Sequence, residues 1–380
     1  SWYALADPSP LLEEDTLYPA ARMRVCATGP EGVTEGEAEE EGEGGGEGEG
    51  EGEGSAPIPI EMANVPGGTF EMGVRADEPG SVDEWPRHNV SLDPYAIGLY
   101  EVTNAQYAAV LSWALKRDLL FGQDGRPYDG GDVYAYGRRL VQPDTTPVDV
   151  CALGYADGAF YVETRRDYLE RDVTMDSHPL NMVSWYGAVA FCNWLSLSNG
   201  LAPCYDPGTW ERMVPTPDGY RLPTEAEWER AAGWAPGADP HHWLFAFERD
   251  DESVVPDFEK PETWRHLLLR ANFGLINPLD LGSEPKTAPG GHYSQGASPV
   301  DAYDMSGNVA EWCHDLYGPY PSAPATNPAG VTTGAYRVYR GGSWNSGVDE
   351  CRTAARGLAL PRNLFQDVGF RVAQDTAAPR

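Results

Sequence analysis

The stretch Arg337–Val372, RVYRGGSWNSGVDECRTAARGLALPRNLFQDVGFRV, decides how this chain is read. Two blocks bracket it, Arg340-Gly341-Gly342-Ser343-Trp344 and Gly369-Phe370-Arg371. Between them Gly357-Leu358-Ala359-Leu360 and Leu364-Phe365 carry apolar side chains in neither the strand nor the helix period. Turn-rich segments are normally polar because they run over the surface. Apolar residues there point either to a buried loop or to a surface that binds something.

Outward from that stretch, the chain has 380 residues, long enough for two domains and for a large core. It combines 12 Trp and 20 Tyr with 43 Gly and 33 Pro, which predicts a loop-rich α+β fold of short elements rather than a helical bundle. The net charge is −32, of which eleven charges are the glutamates between Glu31 and Glu53, so the remainder is still strongly acidic. That balance argues against nucleic acid as a partner. No run of apolar residues is long enough to span a bilayer, so no transmembrane segment is expected. Residues 1–25 lack the basic start and apolar core of a signal peptide. Six cysteines (Cys26, Cys151, Cys192, Cys204, Cys313 and Cys351) form no CxxC pair. Disulfides and buried thiols both remain open, with Cys192–Cys204 a possible pair.

Residues 1–30 read as an N-terminal arm and 31–57 as an acidic, Glu/Gly-rich linker kept from folding by charge repulsion and glycine entropy. A main domain then runs over 58–374. Val65–Gly73 predicts strand, glycine turn, strand; His88–Leu92 and Ile97–Val102 predict two more. Thr103-Asn104-Ala105-Gln106 is a capping box that opens a helix over 104–115. Ser184 caps a second helix with Trp185, Ala188, Val189, Cys192 and Leu195 on one face. Thr224-Glu225-Ala226-Glu227 opens a third. Residues 118–178 read as a decorated insertion with short strands. The adjacent His241 and His242 read as surface residues, since neighbours cannot face one metal from a helix or strand.

Five blocks, in order, resemble the formylglycine-generating-enzyme (sulfatase-modifying factor) family: Pro66–Gly73, Tyr100–Asn104, Pro179–Trp194, Arg221–Glu229, and Gly307–Trp312 followed by the two blocks of the opening stretch. The resemblance implies an α+β domain with a C-type-lectin-like fold and long insertions. It also implies structural calcium, held by Asp304, the carbonyls of Gly307 and Val309, and Glu311. A second set would use Asn272 and the carbonyl of Phe273, with Asp280 as a substitute ligand. Hard cations want several oxygens on a tight turn, which agrees. The family's enzymes use two nearby cysteines after the Gly-Gly-Ser-aromatic block to bind copper and oxidise a substrate cysteine. Ser346 stands at the first position here. Cys351 reaches the second only with a gap after it; anchored on Ala354-Ala355-Arg356 it is a structural residue, with Cys313 as a partner. A lone thiol cannot supply the bis-thiolate that selects Cu(I), so neither copper nor a catalytic residue is expected.

A narrower resemblance is to the variable proteins of diversity-generating retroelements, which use the same scaffold and vary the segment between these blocks. The matching positions are Tyr339, Asn345, Ser346, Gly347, Val348, Asp349, Ala355, Gly357, Leu358, Ala359, Leu360, Arg362, Asn363, Leu364, Phe365 and Asp367. Their residue types are nearly all ones that randomised adenine codons can reach. The resemblance implies a non-catalytic protein that binds a protein or other macromolecular ligand through residues 339–368. Leu358, Leu360, Leu364 and Phe365 would be the apolar anchors, and Asn345, Asp349 and Asn363 would orient the ligand. An oxidase acting on a polypeptide cysteine and a plain non-catalytic paralogue are the alternatives.

Overall fold

Helices begin where the sequence places their caps. In α1 (Asn104–Leu115) the Thr103 hydroxyl accepts from the Gln106 amide while Gln106 reaches back to the Thr103 N–H. The computed structural model describes residues 57–143, 151–167, 170–234, 243–247, 266–267, 269–274 and 286–376. The N-terminal arm, nearly all of the acidic linker, Cys26, His241, His242 and Asp280 lie outside the described residues.

Before α1 come β1 (Met62–Val65), β2 (Gly68–Met72), β3 (His88–Leu92) and β4 (Tyr95–Gly98). After it, three hairpins decorate the chain: β5 (Val133–Ala135) with β6 (Arg138–Val141), β7 (Leu153–Ala156) with β8 (Ala159–Val162), and β9 (Thr164–Arg166) with β10 (Asp172–Thr174). Then follow α2 (Trp185–Ser198), β11 (Tyr220–Arg221), α3 (Glu225–Gly233), β12 (Ala310–Leu316), β13 (Ala325–Thr326), β14 (Arg337–Arg340), β15 (Gly357–Ala359), β16 (Val368–Gly369) and β17 (Ala373–Asp375). Ser184 and Thr224 cap α2 and α3 as expected.

Two four-stranded sheets organise the domain. One runs β1-β4-β17-β11 and brings the last described strand beside the early strands β1 and β4. The other runs β15-β14-β12-β16, and three of its four strands come from the opening stretch. A three-stranded sheet, β13-β3-β2, completes the frame. Among the described residues two large apolar cores fill it, with a third, smaller cluster around Phe245, Phe273 and Cys351. The larger packs α1 and α2 around Phe370, with Tyr107 and Phe191 stacked beside it. The second lies under α3 and holds Trp228, Phe70 and Val338.

Three expectations change. The fourth strand is Tyr95–Gly98, not Ile97–Val102. The chain bends after Gly98 because Glu101 turns inward, where its carboxylate accepts from the Asn308 side chain and the Val309 N–H. Helix α2 is buried nearly all round from Trp185 to Ser196, rather than on one face, because sheet and hairpin elements pack on its other sides. Cys192 and Cys204 form no disulfide, nor do Cys313 and Cys351; all four are buried free thiols. Cys351 Sγ lies against the Gly347 carbonyl, while Cys313 sits in the core of β12.

One buried histidine sets a pH dependence. His178 holds its Nδ1 2.9 Å from Thr287 Oγ1, and burial lowers its pKa to about 4. The native ring stays neutral while the unfolded chain takes up a proton below about 6.5, so stability from this group is intact above that pH and lost as pH falls toward 4. Asp315, raised to about 8 chiefly by burial and then by Glu225, acts in the opposite direction over the same range. The comparison that isolates His178 is therefore with His178→Gln. Between pH 6.5 and 4 the wild type should lose about 3 kcal/mol more than the variant in urea unfolding. Parallel curves for the two proteins would refute this.

Candidate functional site

The two blocks are pinned by buried arginines. Arg340 donates to Glu225 at 3.0 Å, to Glu229 at 2.5 Å, and to the carbonyls of Thr353 and Ala354. Arg371 makes a bidentate pair with Glu311 at 2.6 and 2.7 Å and also donates to the Gly98 and Tyr303 carbonyls. Gly341 and Gly342 both take left-handed φ values, 95° and 65°. A Cβ on Gly342 would come within 2.7 Å of Cys351 Sγ, so the backbone approach there needs glycine.

Two further struts were not legible in the sequence. Arg352 forms a bidentate pair with Glu84, both bonds 2.8 Å. Arg356 pairs with Glu225 and donates to the carbonyls of Asp83 and Gly318. Their partners lie far away in sequence, and nothing local marks an arginine in an apolar run as a strut.

The segment between the blocks is neither a plain loop nor one flat face. A short 3-10 turn spans Val348–Cys351, and β15 pairs antiparallel with β14. Tyr339 lies opposite Gly357, and Val338 opposite Leu358. Adjacent strand residues point to opposite faces, so Tyr339 and Leu358 are on different sides of the sheet. Gly357 is fixed by Tyr339, whose ring would lie 2.0 Å from a Cβ there. Leu358 is 40% exposed at the sheet edge. Leu360, Asn363, Leu364 and Phe365 are half-buried, while Arg362 is exposed. Asn345, Gly347 and Asp349 are exposed, and Ser346, Val348 and Asp367 are partly so. Ala355 and Ala359 are buried and belong to the scaffold.

The structure brings two groups together. Phe365 lies 6.4 Å from Tyr339 between ring centroids, and both lean on buried Trp312. Asp367 accepts from the buried Ser343 hydroxyl at 2.9 Å and from the Asn345 side chain at 3.4 Å, while Ser343 Oγ is 3.2 Å from Ser346 Oγ.

Around the expected calcium ligands the geometry is mixed. Asp304 is buried and accepts from the Gly291 N–H; burial is the main cause that raises its carboxyl to about 6. Glu101 is pushed well up, by burial first and then by Asp304 and Glu311. Three carboxylates thus share Arg371 as counter-charge. Glu311 already accepts from Arg371 and from the Trp228 indole N–H. No group of three or more His, Cys, Asp or Glu side chains is placed to hold a metal among the described residues. A cation here would rest on Asp304, the Gly307 and Val309 carbonyls and a shared edge of Glu311. At the second set, the Asn272 amide donates to the Lys286 carbonyl and to Asn308 Oδ1, and its own carbonyl accepts from the Asn308 N–H. Phe273 is buried beside it.

Cys351 is buried, and burial, followed by nearby Glu350, pushes its thiol far above the ordinary range. Such a thiol stays protonated and is a poor nucleophile or metal ligand. Among the described residues no helix is long and apolar enough to cross a membrane.

Comparison with known proteins agrees with this architecture. The formylglycine-generating enzyme of Streptomyces coelicolor is 31% identical over 336 residues, covering 82% of this chain and 88% of its own. The serine/threonine-protein kinase pkn1 of Chlamydia pneumoniae is 28% identical over 320 residues, covering 83% of this chain but 38% of its own. Among solved structures, variable protein 1 of Treponema denticola superposes with a TM-score of 0.52 at 24% identity, covering 83% of this chain and 95% of that one; at that identity the likeness speaks for the fold. The fold is thus α+β, of the C-type-lectin-like kind. The model of the sulfatase-modifying factor enzyme 1-like domain matches residues 54–376, and the chain belongs to that family.

Proposed function

We propose that this protein is a non-catalytic member of its family that binds a macromolecular ligand through residues 339–368. The observation that carries the reading is the contrast between anchorage and display. The ends of the segment are locked by Arg340 and Arg371, while every named position except Ala355 and Ala359 is at least partly exposed. Ser346 in place of a first cysteine and the buried, protonated Cys351 support the absence of copper–thiolate oxidation. The partly exposed apolar residues Leu358, Leu360, Leu364 and Phe365 are then contact surface.

Two measurements test this. Incubation with copper and a cysteine-containing sulfatase-type peptide should yield no aldehyde by mass spectrometry; its formation would overturn the reading. A near-copy of the DNA encoding Arg337–Arg371, differing at adenines and lying beside a reverse transcriptase gene, would establish that the surface is diversified.

Structural calcium is proposed with it, held by Asp304, the Gly307 and Val309 carbonyls and Glu311. The support is the excess of buried negative charge around Arg371. Millimolar calcium should raise the unfolding midpoint of the wild type, and Asp304→Ala should abolish that rise. A wild-type midpoint indifferent to calcium and to chelator would remove the proposal.

A further inference from the structure

Resting on that ligand-binding reading, we propose that the surface takes a basic polypeptide segment, seating a lysine or arginine side chain against Tyr339 and Phe365 with Asp367 and Glu350 as counter-charges. The argument is one of charge complementarity beside aromatic rings. Between the two blocks the chain carries three acids, Asp349, Glu350 and Asp367, and three bases, Arg352, Arg356 and Arg362. Two of the bases are consumed internally: Arg352 by Glu84 and Arg356 by Glu225, neither carboxylate belonging to the segment. What faces outward is therefore three acids against the single exposed Arg362.

Two of those acids, Asp367 and Glu350, act on an aromatic pair. Tyr339 and Phe365 are half-buried with their rings 6.4 Å apart, backed by Trp312 at 5.9 and 6.5 Å. The Tyr339 phenol is pushed up by burial first and then by the charges of Asp367 and Glu350, so the field of both carboxylates reaches that ring; the Glu350 carboxylate itself accepts from the Gly347 N–H. The contacts of Asp367 to Ser343 and Asn345 come from neutral donors, so they orient its carboxylate without cancelling its charge. Partly exposed aromatic rings within the field of carboxylates attract an ammonium or guanidinium twice over, through the ring quadrupole and through the charge, and such a surface repels an acidic or phosphorylated partner. The chain's net charge of −32 favours encounter with such a partner over a longer range.

A random dodecapeptide library displayed on phage, selected on the full chain, tests this. The peptides that emerge are synthesised and titrated against the wild type, the double variant Asp367→Asn/Glu350→Gln, the control Asp157→Asn in the β7–β8 turn, and Leu360→Asp/Phe365→Asp. The expected result is enrichment of peptides bearing Arg or Lys, bound about ten-fold more weakly by the Asp367→Asn/Glu350→Gln variant and unchanged by Asp157→Asn. Asn at 367 retains an acceptor for Ser343, so that loss would not reflect unfolding. Selected peptides without a basic residue, lost on Leu360→Asp/Phe365→Asp, would overturn the basic-partner inference and leave the ligand surface standing. Basic peptides weakened equally by Asp157→Asn would overturn it as general acidity. Peptides bound equally well by Leu360→Asp/Phe365→Asp would overturn the ligand surface itself.

Discussion

Arg371→Met should cost about 3–5 kcal/mol in urea unfolding at neutral pH, the penalty of stranding a buried charge. Arg371 is fully buried, and its guanidinium satisfies both oxygens of Glu311 and two backbone carbonyls. Methionine fills much of the volume but leaves Glu311 facing Asp304 and Glu101 with no cation between them. A double variant, Arg371→Met/Glu311→Leu, should recover most of the loss, because removing both partners removes the unpaired charge. A single-variant loss below about 1 kcal/mol would mean that the cluster relaxes by taking up protons or water. The same variant probes calcium: if the cation binds where proposed, it should stabilise Arg371→Met more than the wild type.

Arg340→Met is the second large effect, again about 3–5 kcal/mol. It strands Glu225 and Glu229 together, two carboxylates on consecutive turns of α3. Glu225 would keep Arg356, so Glu229, fully buried and held otherwise by the Gly73 N–H, should bear most of the cost. The variant also frees the Thr353 and Ala354 carbonyls. Amide exchange should accordingly quicken around residues 350–356 before the rest of the domain responds. Uniform loss of protection across all elements would contradict this local role.

These two arginines also show what a sequence can and cannot reveal. The helices were legible because a cap is local: Thr103 and Gln106 meet within one turn, as do Thr224 and Glu227. Arg371 bears no local sign of its partner: Glu311, read as a calcium ligand, lies 60 positions away. Arg352 and Glu84 are 268 positions apart, and neither carries a local signal of the other. The bend after Gly98 was missed for the same reason, since it depends on Glu101 meeting Asn308. The segment between the blocks was legible as unusual but not as two-sided. Only the pairing of β14 with β15 separates Leu358 from Tyr339.

The way the segment is tied down bears on how it can change over generations. Many of its tethers are main-chain oxygens: Ser346 to the Gly274 N–H, Cys351 to Ser306, Thr353 and Ala354 to Arg340, Pro361 to the Trp185 N–H, Phe365 to the Met182 N–H, Gln366 to Asn181 and Asp367 to the Ala310 N–H. A peptide carbonyl is present whatever side chain the residue bears. Such moorings are blind to residue identity, so substitutions at the outward positions alter what the surface presents without loosening it. On the ligand-binding reading proposed above, evolvability is then a property of the backbone.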